Sequence, residues 1–195
     1  RPNDQVTRAQ FAKMLVVALG LENAADADSG SSHFADITGN EWYAGYVNVA
    51  SGQGVLNGYP DGSFKPNEQV TYGQAVTMLV RALGYKDEFL PGEWPSNYVS
   101  KAASLDITDD VRFFPSGYAD RGSTAVLLNN TLDANIIEQY SYGDENNWSE
   151  DEDRTLLKES LDFDKYEDEE IVATPRVESS MEDDQVEIDG DIDGT

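Results

Sequence analysis

Few side chains in this sequence have the type and spacing that chemistry requires. The single histidine, His33, lies in a small polar stretch with no serine or aspartate pattern around it, so triad or general acid–base catalysis has no frame. Cysteine is absent, which excludes disulfides, thiolate metal sites and thiol nucleophiles. No pair of carboxylates stands in a recognisable glycosidase arrangement, and no enzyme is expected. In Asp-Gly-Asp-Ile-Asp-Gly, residues Asp189, Asp191 and Asp193 set oxygen ligands at alternate positions. That is the spacing of the first half of a calcium loop, and it suits a hard cation such as Ca2+. Calcium aside, no cofactor is implied. Arg8 and Arg121 stand at the starts of predicted helices, where an arginine with no further context reads as a solvated first-turn side chain.

Charge narrows the partners. The 195 residues carry a formal net charge of −25, and hydrophobic residues make up 39% of them. Residues 1–133 hold 16 acidic and 9 basic side chains, whereas residues 134–195 hold 22 and 4. Nucleic acid and anionic membranes would repel such a chain. No apolar run approaches the roughly 20 residues needed to span a bilayer. The opening Arg1-Pro2-Asn3 reads as a mature or trimmed chain from which any targeting segment has gone.

The elements that must position any site come from an internal repeat. Residues 1–21 and 65–85 align without a gap at an offset of 64, with 12 of 21 positions identical. Thr7 and Thr71 are N-cap residues, with Gln10 and Gln74 completing capping boxes. Phe11, Met14, Leu15, Ala18 and Leu19 follow at helical spacing, and Gly20 and Gly84 end the helices in left-handed geometry. The complete unit runs from Phe34 to Tyr85. Asp36 or Thr38 starts its first helical region, Trp42, Tyr46, Val49 and Ala50 share a face, and Gly52 and Gly54 close it. Val55-Leu56 is a short buried extended piece, and Tyr59-Pro60-Asp61-Gly62 is a turn. Residues 22–33 read as a linker. A degraded copy follows, with Glu93-Trp94, Tyr98-Val99 and Ala102 at offset 52 and Pro115 and Gly122 at offset 49. It lacks the Tyr-Pro-Asp-Gly turn. Its second helix runs from Ser123 to Leu132.

These residues resemble the S-layer homology family. The likeness is carried by Phe34-Ala35-Asp36, Trp42, Gly58–Phe64, Pro66, Val6-Thr7-Arg8-Ala9-Gln10 and Arg121-Gly122, and it covers about residues 1–133. It implies a mainly α fold of pseudo-threefold helix–loop–helix repeats from a Gram-positive, clostridial-type surface protein. It also implies grooves between repeats that bind pyruvylated secondary cell-wall polysaccharide and anchor a secreted protein to the cell wall or S-layer. Arginine's planar fork suits the pyruvate carboxylate. Flat aromatic faces suit sugar rings, and helix N-terminal amides suit an anion. On this likeness the polysaccharide-binding residues are Arg8, Arg121, Trp42, Trp94, Tyr72, Asp36, Gly73 and Gly122. Tyr72 stands where the other two repeats carry arginine, and on the residues alone it reads as a surface tyrosine. Self-association is the alternative: a structural protein–protein assembly module of an S-layer or surface filament, assisted by calcium.

The domain boundaries expected are 1–33 (second half of repeat 1 plus linker), 34–85 (repeat 2), 86–133 (degenerate repeat 3) and 134–195 (an acidic C-terminal segment that opens a β-rich or partly irregular region). Within the last segment, Ile136-Ile137 and Tyr140–Tyr142 read as extended, Asp144–Asp153 as an acidic loop, and Leu156, Leu157 and Leu161 as one or two helical turns. Glu170–Pro175 and Gln185–Asp189 read as strands.

Overall fold

Threonine capping sets where the first long helices begin. The computed structural model describes residues 1–28, 30–142, 145–161, 171–173 and 187–188. Helix α1 spans Arg8–Ala18 and is capped by Thr7, whose hydroxyl accepts from Gln10 N while the Gln10 side chain accepts from Thr7 N. Helix α2 follows at Glu22–Ala27 and α3 at Ala44–Gly52. Helix α4, Tyr72–Ala82, repeats the capping box with Thr71 and Gln74. Helix α5 is Ser96–Ser104, and α6, Arg121–Leu132, is capped by Asp120 through Ser123 N. Gly20 and Gly84, just past α1 and α4, have φ of 68° and 95°. The chain divides into two compact units, Arg1–Asp162 and Phe163–Thr195.

Inside the first unit the repeats meet at their entries into α1, α4 and α6. Val6 N donates to Ala119 O, Ala119 N to Val70 O, and Val70 N to Val6 O, each at 2.9 Å. The three bonds close a ring. The next residues repeat the pattern. Arg8 N donates to Glu68 O, Tyr72 N to Gly117 O and Arg121 N to Asp4 O. Ala9, Gly73 and Gly122 donate to Pro66, Pro115 and Pro2 respectively. Around this ring packs one apolar core that includes Phe11, Leu15, Phe34, Phe64, Leu79, Tyr98 and Leu127, all buried.

The acidic stretch joins the same unit through two strands. Strands β1 (Asn135–Tyr142) and β2 (Glu145–Thr155) pair antiparallel, from Tyr142 opposite Glu145 to Asn135 opposite Thr155, with an irregularity near Ile137. Ile137 N donates to Leu83 O at 2.9 Å, and a short helix α7, Leu156–Leu161, opens with Leu156 buried. In the second unit, β3 (Ile171–Ala173) pairs antiparallel with β4 (Glu187–Ile188). The described fold is thus mostly helical, with two small sheets. Among the described residues, no helix is long and apolar enough to cross a membrane.

Three expectations change. The linker 22–33 contains α2, because Glu-Asn-Ala-Ala-Asp-Ala is rich in helix formers and Ala25 finds a buried place against α3. Neither Asp36 nor Thr38 starts α3. The Glu41 carboxylate accepts from Thr38 N, Thr38 Oγ1 and Gly39 N, and this tight turn delays the helix to Ala44 and leaves Trp42 outside it. From Glu145 the acidic loop is strand β2, because pairing with β1 overrides the low strand propensity of its carboxylates.

Gly45 shows how closely α2 and α3 approach: a Cβ added there would lie 2.0 Å from the Ala25 carbonyl oxygen. Gly45→Ala should therefore destabilise the protein by about 1–3 kcal/mol, although alanine is favoured by about 1 kcal/mol in a helix interior. Thermal denaturation should show a midpoint several degrees lower; a higher one would contradict this packing.

Candidate functional site

One concave surface with cationic lining gathers residues from distant parts of the sequence. It is a groove of about 470 Å³ lined by Arg8 from α1, the turn residues Asn57–Pro60, Gln74, Thr77, Met78 and Arg81 from α4, and Trp94. Trp94 is 55% exposed and lines the groove, and its Nε1 donates to Thr77 Oγ1 at 2.9 Å, which restrains the indole there. Thr77 Oγ1 in turn donates to Gly73 O at 2.7 Å, so the indole is tied back to the helix backbone.

Arg8 is only 5% exposed. Its Nε donates to Phe64 O at 2.8 Å and its Nη2 to Asn57 O at 3.2 Å. The guanidinium lies over the rings of Tyr59 and Phe64, at 4.9 and 4.7 Å. Burial lowers its pKa, opposed by Tyr59, Glu68 and Asp36, yet an arginine stays cationic under such a shift. Arg8 is therefore a buried cation that clamps the Asn57–Phe64 turn, which corrects the reading of a solvated first-turn side chain. Among the described residues its Nη1 has no hydrogen-bond partner.

Arg81, in the last turn of α4, is the second guanidinium of the groove. Its Nε donates to Tyr98 Oη at 3.1 Å and its Nη2 to Asp87 Oδ1 at 3.0 Å. Burial disfavours the Arg81 charge, but hydrogen bonds with Tyr98 and Asp87 outweigh it and raise its pKa. Asp87 also accepts a short hydrogen bond from Tyr98 Oη, which with Arg81 holds its carboxyl below the usual carboxylate range.

A second groove, of about 510 Å³, repeats this layout with different chemistry. Gln10, Lys13, Met14, Val17 and Ala18 of α1 line it with Trp42, Arg121 and Leu128. At the repeat offset of 64, Lys13 replaces Thr77 and Val17 replaces Arg81. Trp42 is 58% exposed and Arg121 is exposed. Lys13 Nζ donates to Tyr46 Oη at 3.0 Å. The two tryptophans are groove walls, not core.

The remaining expected residues serve packing. Tyr72 is buried, which corrects its reading as a surface residue. It stacks on Phe113 at 4.9 Å, as Arg8 lies over Phe64, and its Oη donates to Asp120 Oδ2 at 2.9 Å. Asp36 accepts from Phe64 N and Lys65 N at 2.8 and 2.7 Å, so both its oxygens staple the turn. A Cβ on Gly73 would lie 3.1 Å from Pro115 O, and one on Gly122 would lie 3.2 Å from Pro2 Cβ. Both glycines lie in close approach to those prolines, whose carbonyls occupy their amides, as Pro66 O occupies that of Ala9. The expectation of helix-terminal amides open to an anion fails for the same reason. At all three helix entries the first two amides go to neighbouring carbonyls and the third to the cap. Asp189, Asp191 and Asp193 lie outside the described residues. Among the described residues no cluster of three or more His, Asp or Glu could hold a metal. Arg81 and Asn57 were missed from sequence, although Arg81 stands out as a charge on a face where the aligned repeat has Val17.

Residues 33–76 match the family model of the S-layer homology domain. The chain is 44% identical over 138 residues to the middle cell wall protein of Brevibacillus brevis, a stretch that spans 71% of this chain and 13% of that protein. It is 41% identical over 138 residues to the surface layer protein of Brevibacillus choshinensis (71% of this chain, 12% of that protein). To the cell surface protein of Thermoanaerobacter kivui it is 34% identical over 134 residues (68% and 17%). The matched stretch thus spans less than a fifth of each of these relatives.

Two stability measurements test the site's scaffold. Arg8→Ala removes the donors to Phe64 O and Asn57 O and should cost about 2–4 kcal/mol in denaturant unfolding, with Arg8→Lys restoring only part; a neutral result would mean that the clamp is not structural. Burial raises the Asp120 pKa, but hydrogen bonds from Ser123 N, Tyr72 and the Ser123 hydroxyl outweigh it, leaving the carboxyl below its ordinary value. A lowered folded pKa contributes stability above the unfolded value of about 3.9 and loses it as pH falls through the folded value. Asp120→Ala should therefore cost about 1 kcal/mol at pH 7, and the gap to wild type should shrink in unfolding measured below about pH 4.

Proposed function

The chain carries an S-layer homology domain, and from that premise we propose that it holds an extracellular protein on the bacterial cell wall by binding pyruvylated secondary cell-wall polysaccharide without covalent chemistry. The observation that carries this reading is the groove that combines the exposed face of Trp94 with the Arg8 and Arg81 guanidiniums. A ketal-linked pyruvate presents one carboxylate on a sugar ring. The indole face takes the ring, and a guanidinium with an unused Nη1 takes the carboxylate. The module is read as non-catalytic, with the wall polymer as partner.

The repeats are read as related by a pseudo-threefold axis. The closed ring of Val6, Ala119 and Val70 supports this, as does the recurrence of equivalent side chains in two grooves. On that reading the Arg8 groove is the anionic-sugar groove. The Trp42 groove, with Val17 in place of Arg81, is the weaker one.

A second reading is favoured by Phe114, 83% exposed, with Tyr118 at 51% nearby in sequence. Large exposed aromatics suit a protein partner, and self-assembly in a surface layer would use them.

The test is equilibrium binding to purified wall polysaccharide before and after chemical removal of pyruvate. Wild type should bind the native polymer at least tenfold more tightly, about 1.4 kcal/mol. Trp94→Ala, at an exposed position, should lose a similar factor with its thermal midpoint little changed. Equal affinity for both polymers would overturn the reading.

A further inference from the structure

The groove holds two guanidiniums on different repeats, and one residue bonds both. Asn57 O accepts from Arg8 Nη2 at 3.2 Å. With the Asn57 amide oriented to satisfy both its ends, Oδ1 accepts from Arg81 Nη1 at 2.9 Å and Nδ2 donates to Leu56 O at 3.2 Å. Two cations lining one groove repel each other, and a neutral acceptor between them is the minimal way to hold both without cancelling their charge. A carboxylate side chain at this position would bond Arg81 more strongly, leave the backbone bond to Arg8 in place, and weaken the field that an anionic ligand needs.

The two arginines are not equivalent. Arg81 already has a carboxylate partner in Asp87 and a further bond to Tyr98. Among the described residues, Arg8 donates only to backbone carbonyls, and no carboxylate lies in salt-bridge contact with it. Arg8 is therefore the guanidinium of the groove without a direct carboxylate partner, with Glu68 and Asp36 acting on it only at longer range, and Asn57 ties it to a neighbour that Asp87 and Tyr98 hold in place. The second groove has Arg121 but Val17 where this one has Arg81, so it has no second arginine for an equivalent bridge to hold.

From this geometry we infer that Asn57 is a positioning residue: it sets Arg8 beside Arg81 so that the groove selects a ligand carrying a carboxylate over the same sugar without one. The inference rests on the wall-polymer reading and names the residue that gives it charge selectivity. Asn57 is exposed at the rim of the groove, so substitution there leaves the core intact.

The experiment compares wild type, Asn57→Asp and Asn57→Ser for binding to pyruvylated and pyruvate-free wall polysaccharide, with thermal midpoints measured alongside. Asn57→Asp should weaken binding to the pyruvylated polymer at least tenfold while leaving affinity for the pyruvate-free polymer within about twofold of wild type. Asn57→Ser, which cannot reach Arg81, should lose an intermediate factor on the pyruvylated polymer alone. A parallel loss on both polymers would show a merely structural role and overturn the inference, as would undiminished binding of the pyruvylated polymer by Asn57→Asp. If wild type itself does not distinguish the two polymers, the underlying reading fails, and this inference fails with it. If wild type distinguishes them and Asn57→Asp does so equally well, only the inference fails.

Discussion

Three backbone hydrogen bonds, among Val6, Ala119 and Val70, govern the rest of this structure. Each is ordinary, about 1 kcal/mol net. Their effect comes from closure. Because each strand-like entry donates to the next and accepts from the previous one, none of the three entries leaves either of these groups unpaired at the centre. The helices that follow are then pinned at their first turns by the prolines, Glu68, Gly117 and Asp4 of neighbouring repeats. Grooves form outside this pinned ring, between a helix of one repeat and the turn and tryptophan of others. Occupied amides at the helix entries remove the helix terminus as an anion site, so side chains alone must read any charge in the grooves.

Repeat divergence becomes legible against that frame. Arg8 and Tyr72 occupy equivalent places, and both lie against a phenylalanine of the following turn, Phe64 or Phe113. The scaffold role is shared: a flat group seals the turn onto the helix entry. Arginine adds charge to the groove, whereas tyrosine adds a hydrogen bond to the Asp120 cap. One repeat position thus supports either a buried cation beside the groove or a tighter junction.

Much of the fold was readable in sequence because it depends on local rules. Thr7, Thr71, Gln10 and Gln74 announce capping boxes, and Gly20, Gly62 and Gly84 take the positive φ expected of them. The gapless alignment of 1–21 with 65–85 shows which helices correspond. The site was less legible, because its key contacts join residues far apart in the chain. Nothing local to Arg8 says that its fork closes on Phe64 O and Asn57 O, and nothing local to Arg81 reveals Asp87 and Tyr98 as partners. The carboxylate-rich β2 was misjudged for the same reason, since its pairing with β1 is a tertiary fact.

The closed ring also fixes the order in which the molecule can become itself. Its bonds join residues 6, 70 and 119, so the last of them cannot form until the third repeat exists. Loop-closure entropy rises slowly with length, but it must be met before distant contacts reward it. A chain made in the N-to-C direction can form α1 and its capping box before residues 70 and 119 exist to close the ring. The cooperativity that closure brings is therefore complete only once residue 119 is in place.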